Sequence, residues 1–239
     1  MKQFKIICLI VVMMFINNTK AQMMTSDKSL NAKEKSIIAI SSLTATGNLI
    51  QLKTELNIGL ESGLTINEIK EILVHLYAYC GFPRSIRGLQ TFMEVLNERK
   101  AKGITDELGK EASPINEDGK KYERGKKILA KLSNTPQTDT LSGYSAFAPE
   151  IDTFLKEHLF ADIFERDVLT YSQRELVTIS VLSAIGNVEP MLQGHFSIAL
   201  NVGITKEQLK EFVSLISLYI RKTEAQSSQT VLDEVLKNK

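Results

Sequence analysis

The chain contains the same pattern twice. Residues 30–47 read LNAKEKSIIAISSLTATG and residues 169–186 read LTYSQRELVTISVLSAIG, each followed by Asn, at Asn48 and Asn187. Further on, GLESGLTINEIKEIL (59–73) matches ALNVGITKEQLKEFV (199–213). The offset is 139 residues in the first block and 140 in the second. A duplication of this kind means that whatever unit one copy folds into, the chain folds into two of them.

Within each copy the apolar residues recur at helical spacing. Leu176, Ile179 and Leu182, with Val177 and Val181 beside them, mark one helix. Gly186-Asn187 ends it, and Pro190 suits the first turn of the next, which closes at Gly203. Thr205-x-x-Gln208 opens a third helix with a capping box, as Thr65-x-x-Glu68 does in the first copy, ahead of the stripe Ile69, Ile72, Leu73 and Leu76. A short amphipathic helix is expected over 122–132. Another is expected within 149–164, with Ile151, Phe154, Leu155, Leu159 and Ile163 on one side. No strand pattern emerges, so the expected class is all-α: a duplicated helical unit in two tandem copies. The expected organisation is a signal peptide at 1–21, a first unit at 28–100, a linker at 101–119 rich in charge, Gly, Ser and Pro, and a second unit at 120–239.

The leader is read from Lys2 and Lys5, the unbroken apolar run 6–16, and small residues Thr19 and Ala21 that place cleavage after Ala21. The protein is therefore expected to be exported, periplasmic or secreted. Loss of the leader would remove Cys8 and leave Cys80 as the only thiol, so no internal disulfide is expected. A formal net charge of +1 lacks the basic footprint of a nucleic-acid binder. No apolar run reaches the roughly 18 residues that mark a membrane span, so no membrane association is expected after cleavage. Two cysteines exclude a disulfide-built scaffold and a Cys-only zinc site.

Several stretches carry a resemblance: YERGKKIL (122–129), FLKEHLFADIFERDVLT (154–170), RELVTISVLSAIGNVEPMLQGHFSIALNVGIT (174–205) and HLYAYCGFPRS (75–85). Together they resemble the carboxymuconolactone decarboxylase family, which includes the alkylhydroperoxidase D-like proteins. The resemblance spans nearly all of the chain after the leader. It implies an all-helical unit that assembles into homo-oligomers, here a trimer of two-unit chains, acting on a small-molecule substrate. Founding members decarboxylate a carboxylated muconolactone, a lyase activity that needs no cofactor. The peroxidase branch instead uses a Cys-x-x-Cys pair with a nearby His and Glu.

The stretches matching that dithiol read NVEPMLQG before His195 and NLIQLKTE in the first copy, without a cysteine. One thiol cannot both attack and resolve. Cys80 reads more simply as a small residue at a helix end. His195 lies three residues before Ile198 and so faces the apolar side of its helix. It is either a satisfied core histidine or, at the position matching the family's site histidine, a general acid or base. Glu175 could cap its helix through Ser172-x-x-Glu175. The aligned first copy, however, places the cap at Thr170-x-x-Gln173, which turns Glu175 inward and leaves it matching the family's site glutamate. A carboxylate there must be paired.

The first copy lacks this pair: Ser36 stands for Glu175 and Glu55 for His195. The second copy lacks HLYAYCGFP. The expectation is one composite pocket per chain, with His195 and Glu175 as the catalytic pair. His75, Tyr79, Arg84 and possible support from Arg87 would bind substrate from the first copy. Independent drift of the copies is the alternative. His158 reads as a surface or packing residue, and no metal-ligand spacing occurs. Two other functions stay open: hydroperoxide reduction through Cys80, and a non-catalytic helical binding protein.

Overall fold

The computed structural model describes residues 29–115 and 119–238; the leader expected at 1–21 lies outside them. The described residues form ten α-helices, one π-helix and no strand. The first copy gives α1 (Ala32–Thr46), α2 (Leu49–Glu61) and α3 (Ile66–Ala101). The connecting segment leads to α4 (Lys121–Ser133), the short α5 (Gly143–Phe147) and α6 (Pro149–Phe154), which runs on as a π-helix over Leu155–Phe164. The second copy gives α7 (Tyr171–Ile185), α8 (Glu189–Asn201), α9 (Lys206–Ile216) and α10 (Lys222–Lys237).

Caps explain why the helices begin where they do. Asn31, Thr65, Thr170 and Thr205 each close a capping box with the residue three positions on. The Thr170–Gln173 register is the one expected from the alignment of the copies. It frees Glu175 to point inward.

α1 and α7 pack against each other at the centre. Residues 36–45 of α1 and 174–184 of α7 are buried without a break. A helix buried all round shows no amphipathic stripe; its polar positions are small (Ser41, Ser42, Ser180, Ser183) or paired. The copies also cross over: α3 packs on α7, and α9 packs on α1. One core therefore draws on both copies, from Ile37, Leu43 and Ile69 to Val177, Phe196 and Phe212. Each fully buried Leu, Ile or Phe in it contributes about 1.5–3 kcal/mol. A second cluster, with Leu132, Phe160 and Phe164, seats α4 and the π-helix on Ile198 of α8.

Two glycines are required by geometry. Gly81 has φ 78° and ψ 163° and breaks α3 just before Pro83. This break matches the gap between α9 and α10, so α3 is two helices joined end to end. Ser85 Oγ donates to Leu73 O across the break at 2.7 Å. At Gly125 a Cβ would lie 1.7 Å from the Lys156 carbonyl oxygen, so only glycine lets α4 approach the π-helix this closely.

The segment after α3 is stitched down. Ile66 N and Asn67 N donate to Glu107 O and Leu108 O. Asn67 Nδ2 donates to Gly109 O and Lys110 O at 3.1 Å, and Asp167 accepts from Ser113 N and Oγ at 2.9 Å. The stripe expected over 149–164 is split. Leu159 and Ile163 are buried, whereas Ile151 and Phe154 are exposed. The physical reason is the π winding: bonds running from i to i+5 rotate the inward face away from the α register. They bring Asp152 and Lys156 inside instead. Lys156 Nζ donates to Asp152 Oδ2 at 2.7 Å and to Tyr122 Oη at 2.9 Å.

Candidate functional site

Glu175 sits in the first turns of α7 and is fully buried. His195 Nδ1 donates to Glu175 Oε2 at 2.9 Å, and the His195 side chain keeps 15% of its exposure. A carboxylate accepts and does not donate, so it holds the Nδ1–H tautomer and leaves the Nε2 lone pair free. The other carboxyl oxygen, Oε1, is buried with no hydrogen-bond partner. A buried carboxyl oxygen left unpaired is costly, and here it belongs to the carboxyl that the His195 ring contacts.

The first copy supplies the wall of this site. Tyr79, from α3, meets the His195 ring edge-on with centroids 6.2 Å apart, and it stacks on His75 at 5.6 Å. Burial, and next the Glu175 carboxyl, push the Tyr79 hydroxyl well above its ordinary pKa, so it stays protonated. His75 is fully buried. Arg174 Nη1 donates to His75 Nδ1 at 3.1 Å, and His75 Nε2 lies 3.1 Å from Thr178 Oγ1. Burial, with the charges of Arg174 and His195, holds the His75 pKa well below the ordinary value. Both ring nitrogens are thus engaged and the ring is neutral. His75, expected to bind substrate, thus has no exposed surface, and both its ring nitrogens already have partners.

Arg174 anchors the arrangement. Its side chain is 0% exposed, and its Nη2 donates to Glu71 Oε1 and to Arg166 O, both at 2.7 Å. Arg166 Nε donates to Glu71 Oε1 at 2.9 Å. Burial acts to raise the Glu71 carboxyl, but hydrogen bonds from Arg166 and Arg174 outweigh it and hold its pKa below the ordinary value. The second copy mirrors this pair: Lys35 Nζ meets Glu211 Oε1 at 2.7 Å. There the side chains are 45% and 30% exposed.

The structure brings Tyr79 of the first copy against His195 of the second, as the sequence led us to expect; the Arg174 cluster behind them was not expected. Arg174, Thr178 and Glu71 were missed. The available signal was the adjacent charges Arg174-Glu175 inside an otherwise apolar helix, which cannot both face solvent if the helix is central. Arg84 takes a different place from its expected companions. Its guanidinium lies over Gly47 at the end of α1, where an added Cβ would come within 1.5 Å of Nη1. No hydrogen bond or ion pair joins it to His195, Glu175, His75 or Tyr79. Arg87 donates to Gln90 at 2.6 Å. His158 is paired with Asp162 at 3.0 Å on the surface. Cys80 Sγ donates to Leu76 O at 3.2 Å, and burial pushes its thiol up to about 11, leaving little thiolate at neutral pH. Among the described residues no group of three or more His, Cys, Asp or Glu could hold a metal ion. No described helix is long and apolar enough to cross a membrane.

The ion-paired carboxyls fix an acid limit. Glu71, Asp152 and Glu211 all have folded pKa values below the ordinary ones; in each, burial acts upward and is outweighed, first by hydrogen bonds from Arg166, Lys156 and Lys35 respectively. A lowered folded value gives stability that is present above the unfolded value and lost as pH falls through the folded one. Thermal melting is therefore expected to hold steady down to about pH 4.5 and to fall steeply below about pH 4. A midpoint independent of pH from 5 to 2 would contradict these pairings.

Comparison with known proteins agrees with the duplication. The model of the carboxymuconolactone decarboxylase family matches twice, over residues 12–92 and 149–234. A protein of Acinetobacter baylyi described as 4-carboxymuconolactone decarboxylase is 27% identical over 122 residues, covering 51% of this chain and 90% of that protein. Nearly the whole relative thus corresponds to half of this chain, as two units in one chain require. The matched residues and the all-helical duplicated fold together place the chain in the carboxymuconolactone decarboxylase family.

Proposed function

We propose that the chain is an exported acid–base enzyme that decarboxylates, or moves a proton within, a small carboxylated lactone or carbonyl compound, using its own side chains alone. The observation that carries this reading is the 2.9 Å bond between His195 Nδ1 and Glu175 Oε2, which leaves Nε2 free at a partly open position. In the decarboxylating direction the bond between the carboxylate and the ring carbon breaks and CO2 leaves. The electron pair moves onto the neighbouring carbonyl oxygen as an enolate, and protonated His195 returns a proton from Nε2 to carbon. Solvent reprotonates the ring, so the sum is one carboxylate and one proton giving CO2 and a C–H bond. Glu175 fixes the tautomer and stabilises the imidazolium. A homo-oligomer, a trimer of two-unit chains, belongs to the same reading. The printed name of the Acinetobacter relative supports the decarboxylating direction; the leader pattern supports export.

The high Cys80 pKa and the absence of a matching Cys-x-x-Cys weigh against hydroperoxide reduction. The deciding assay follows CO2 release from 4-carboxymuconolactone and related lactones, and peroxide consumption from cumene hydroperoxide with a dithiol. Wild type and Cys80→Ser are compared. CO2 release unchanged by Cys80→Ser is expected. Peroxide consumption lost in Cys80→Ser, with no lactone turnover, would replace this reading by the peroxidase one.

A further inference from the structure

We infer that Tyr79, contributed by the first copy, donates the hydrogen bond that stabilises the enolate oxygen in the second copy's site, and that Arg174, His75 and Thr178 hold its hydroxyl in the donating orientation. This rests on the function proposed above and adds a group to it.

The direction of each proton follows from the partners. A guanidinium only donates, so Arg174 Nη1 makes His75 Nδ1 an acceptor. The His75 proton therefore sits on Nε2 and points at Thr178 Oγ1, 3.1 Å away. Thr178 then turns its single proton outward, shared between Arg174 O at 2.9 Å and the Tyr79 oxygen at 3.3 Å. The Tyr79 oxygen accepts, so its proton is directed elsewhere, and the ring stands edge-on to His195. The groups facing it are Glu175, His195, His75 and Arg174. A neutral phenol that keeps its proton is suited to an oxygen that gains charge during reaction.

The duplication supplies an internal control. Tyr219 occupies the position of Tyr79 in the second copy and is hydrogen-bonded to Glu55, which replaces His195. There, Leu215 replaces His75, Ala39 replaces Thr178 and Ser36 replaces Glu175. The two middle members of the relay, His75 and Thr178, are thus apolar where the pair is missing, although the charged pair Lys35–Glu211 and the Tyr219–Glu55 bond remain there.

The test compares Tyr79→Phe, Thr178→Val, Thr178→Ser and His195→Gln on 4-carboxymuconolactone, with a nitrogen-15 spectrum of His75 as a readout independent of turnover. Tyr79→Phe is expected to lower kcat by about a hundredfold or more with little change in KM. Thr178→Val should lower kcat in the same sense, and Thr178→Ser should restore it, since it keeps the hydroxyl. His75 should be neutral with its proton on Nε2. A His75 proton on Nδ1 reverses the relay and overturns the inference whatever the kinetics. Wild-type kcat in Tyr79→Phe alongside an inactive His195→Gln overturns the inference and leaves the proposed function standing. A His195→Gln enzyme as fast as wild type, or no turnover by any of them, removes the proposed function and the inference with it.

Discussion

Replacing His195 with glutamine is expected to lower turnover by about 10²–10⁴-fold, the range for removal of a positioned general acid or base. The fold should tolerate it. The side chain is partly exposed, makes one hydrogen bond, and packs on Tyr79 only edge-on. Glutamine can still donate an amide proton to Glu175 Oε2, so no buried carboxyl is orphaned. The thermal midpoint is expected within about 4 °C of wild type, since 1 kcal/mol corresponds to about 2–4 °C for a chain of this size. On the proposed function His195 and Glu175 act as a unit, so the pair of substitutions should cost little more than His195→Gln alone. Full activity in a folded His195→Gln protein would remove the acid–base account.

Glu71→Leu has the larger effect on the fold. Glu71 is the counter-ion of a guanidinium with no exposed surface. Removing one member of a buried pair costs about 3–5 kcal/mol, because the remaining charge keeps its desolvation penalty and loses its partner. Arg174 Nε already lacks a partner, so little is left to absorb that charge. Arg166, which is 39% exposed, can turn to water; Arg174 cannot. The midpoint should fall by about 6–20 °C. Adding Arg174→Met should recover part of the loss, because the stranded charge is gone although His75 Nδ1 loses its donor. Glu211→Leu removes the equivalent carboxylate from the half-exposed Lys35 pair and should cost only about 1 kcal/mol. Denaturant melts of these variants separate the buried pair from its exposed counterpart. Equal losses at Glu71 and Glu211 would show that burial does not set the difference.

The contrast also explains what could be read from the chain. Helix starts were legible because caps are local: Thr170 and Gln173, or Thr205 and Gln208, lie three residues apart and satisfy each other. The Glu175–His195 pair was legible because aligning the copies moved the α7 cap off Glu175 and left a carboxylate facing inward. Joining Tyr79 to that pair needed only the observation that each copy lacks what the other holds. The remainder depends on the cross-over of α3 onto α7. Glu71 and Arg174 are 103 residues apart, and His75 and Arg174 are 99; no periodicity links such positions. The same cross-over encloses His75, which spacing alone placed at the edge of a stripe. The π winding over Leu155–Phe164 replaced an α stripe with the inward pair Asp152–Lys156, and hydrophobic spacing carries no warning of that. Arg84 was grouped with the site by its nearness to Tyr79 in sequence, but the break at Gly81 carries it onto Gly47.

The most direct test of the central claim is the tautomer of His195, read from nitrogen-15 shifts of the labelled ring in wild type and in Glu175→Leu. The account predicts a proton on Nδ1 in wild type, held there by the buried carboxyl, with Nε2 free, and loss of that fixed tautomer in the variant. A wild-type ring protonated on Nε2 alone, or one that Glu175→Leu leaves unchanged, would contradict the claim that these two residues form the acid–base pair of a single composite site.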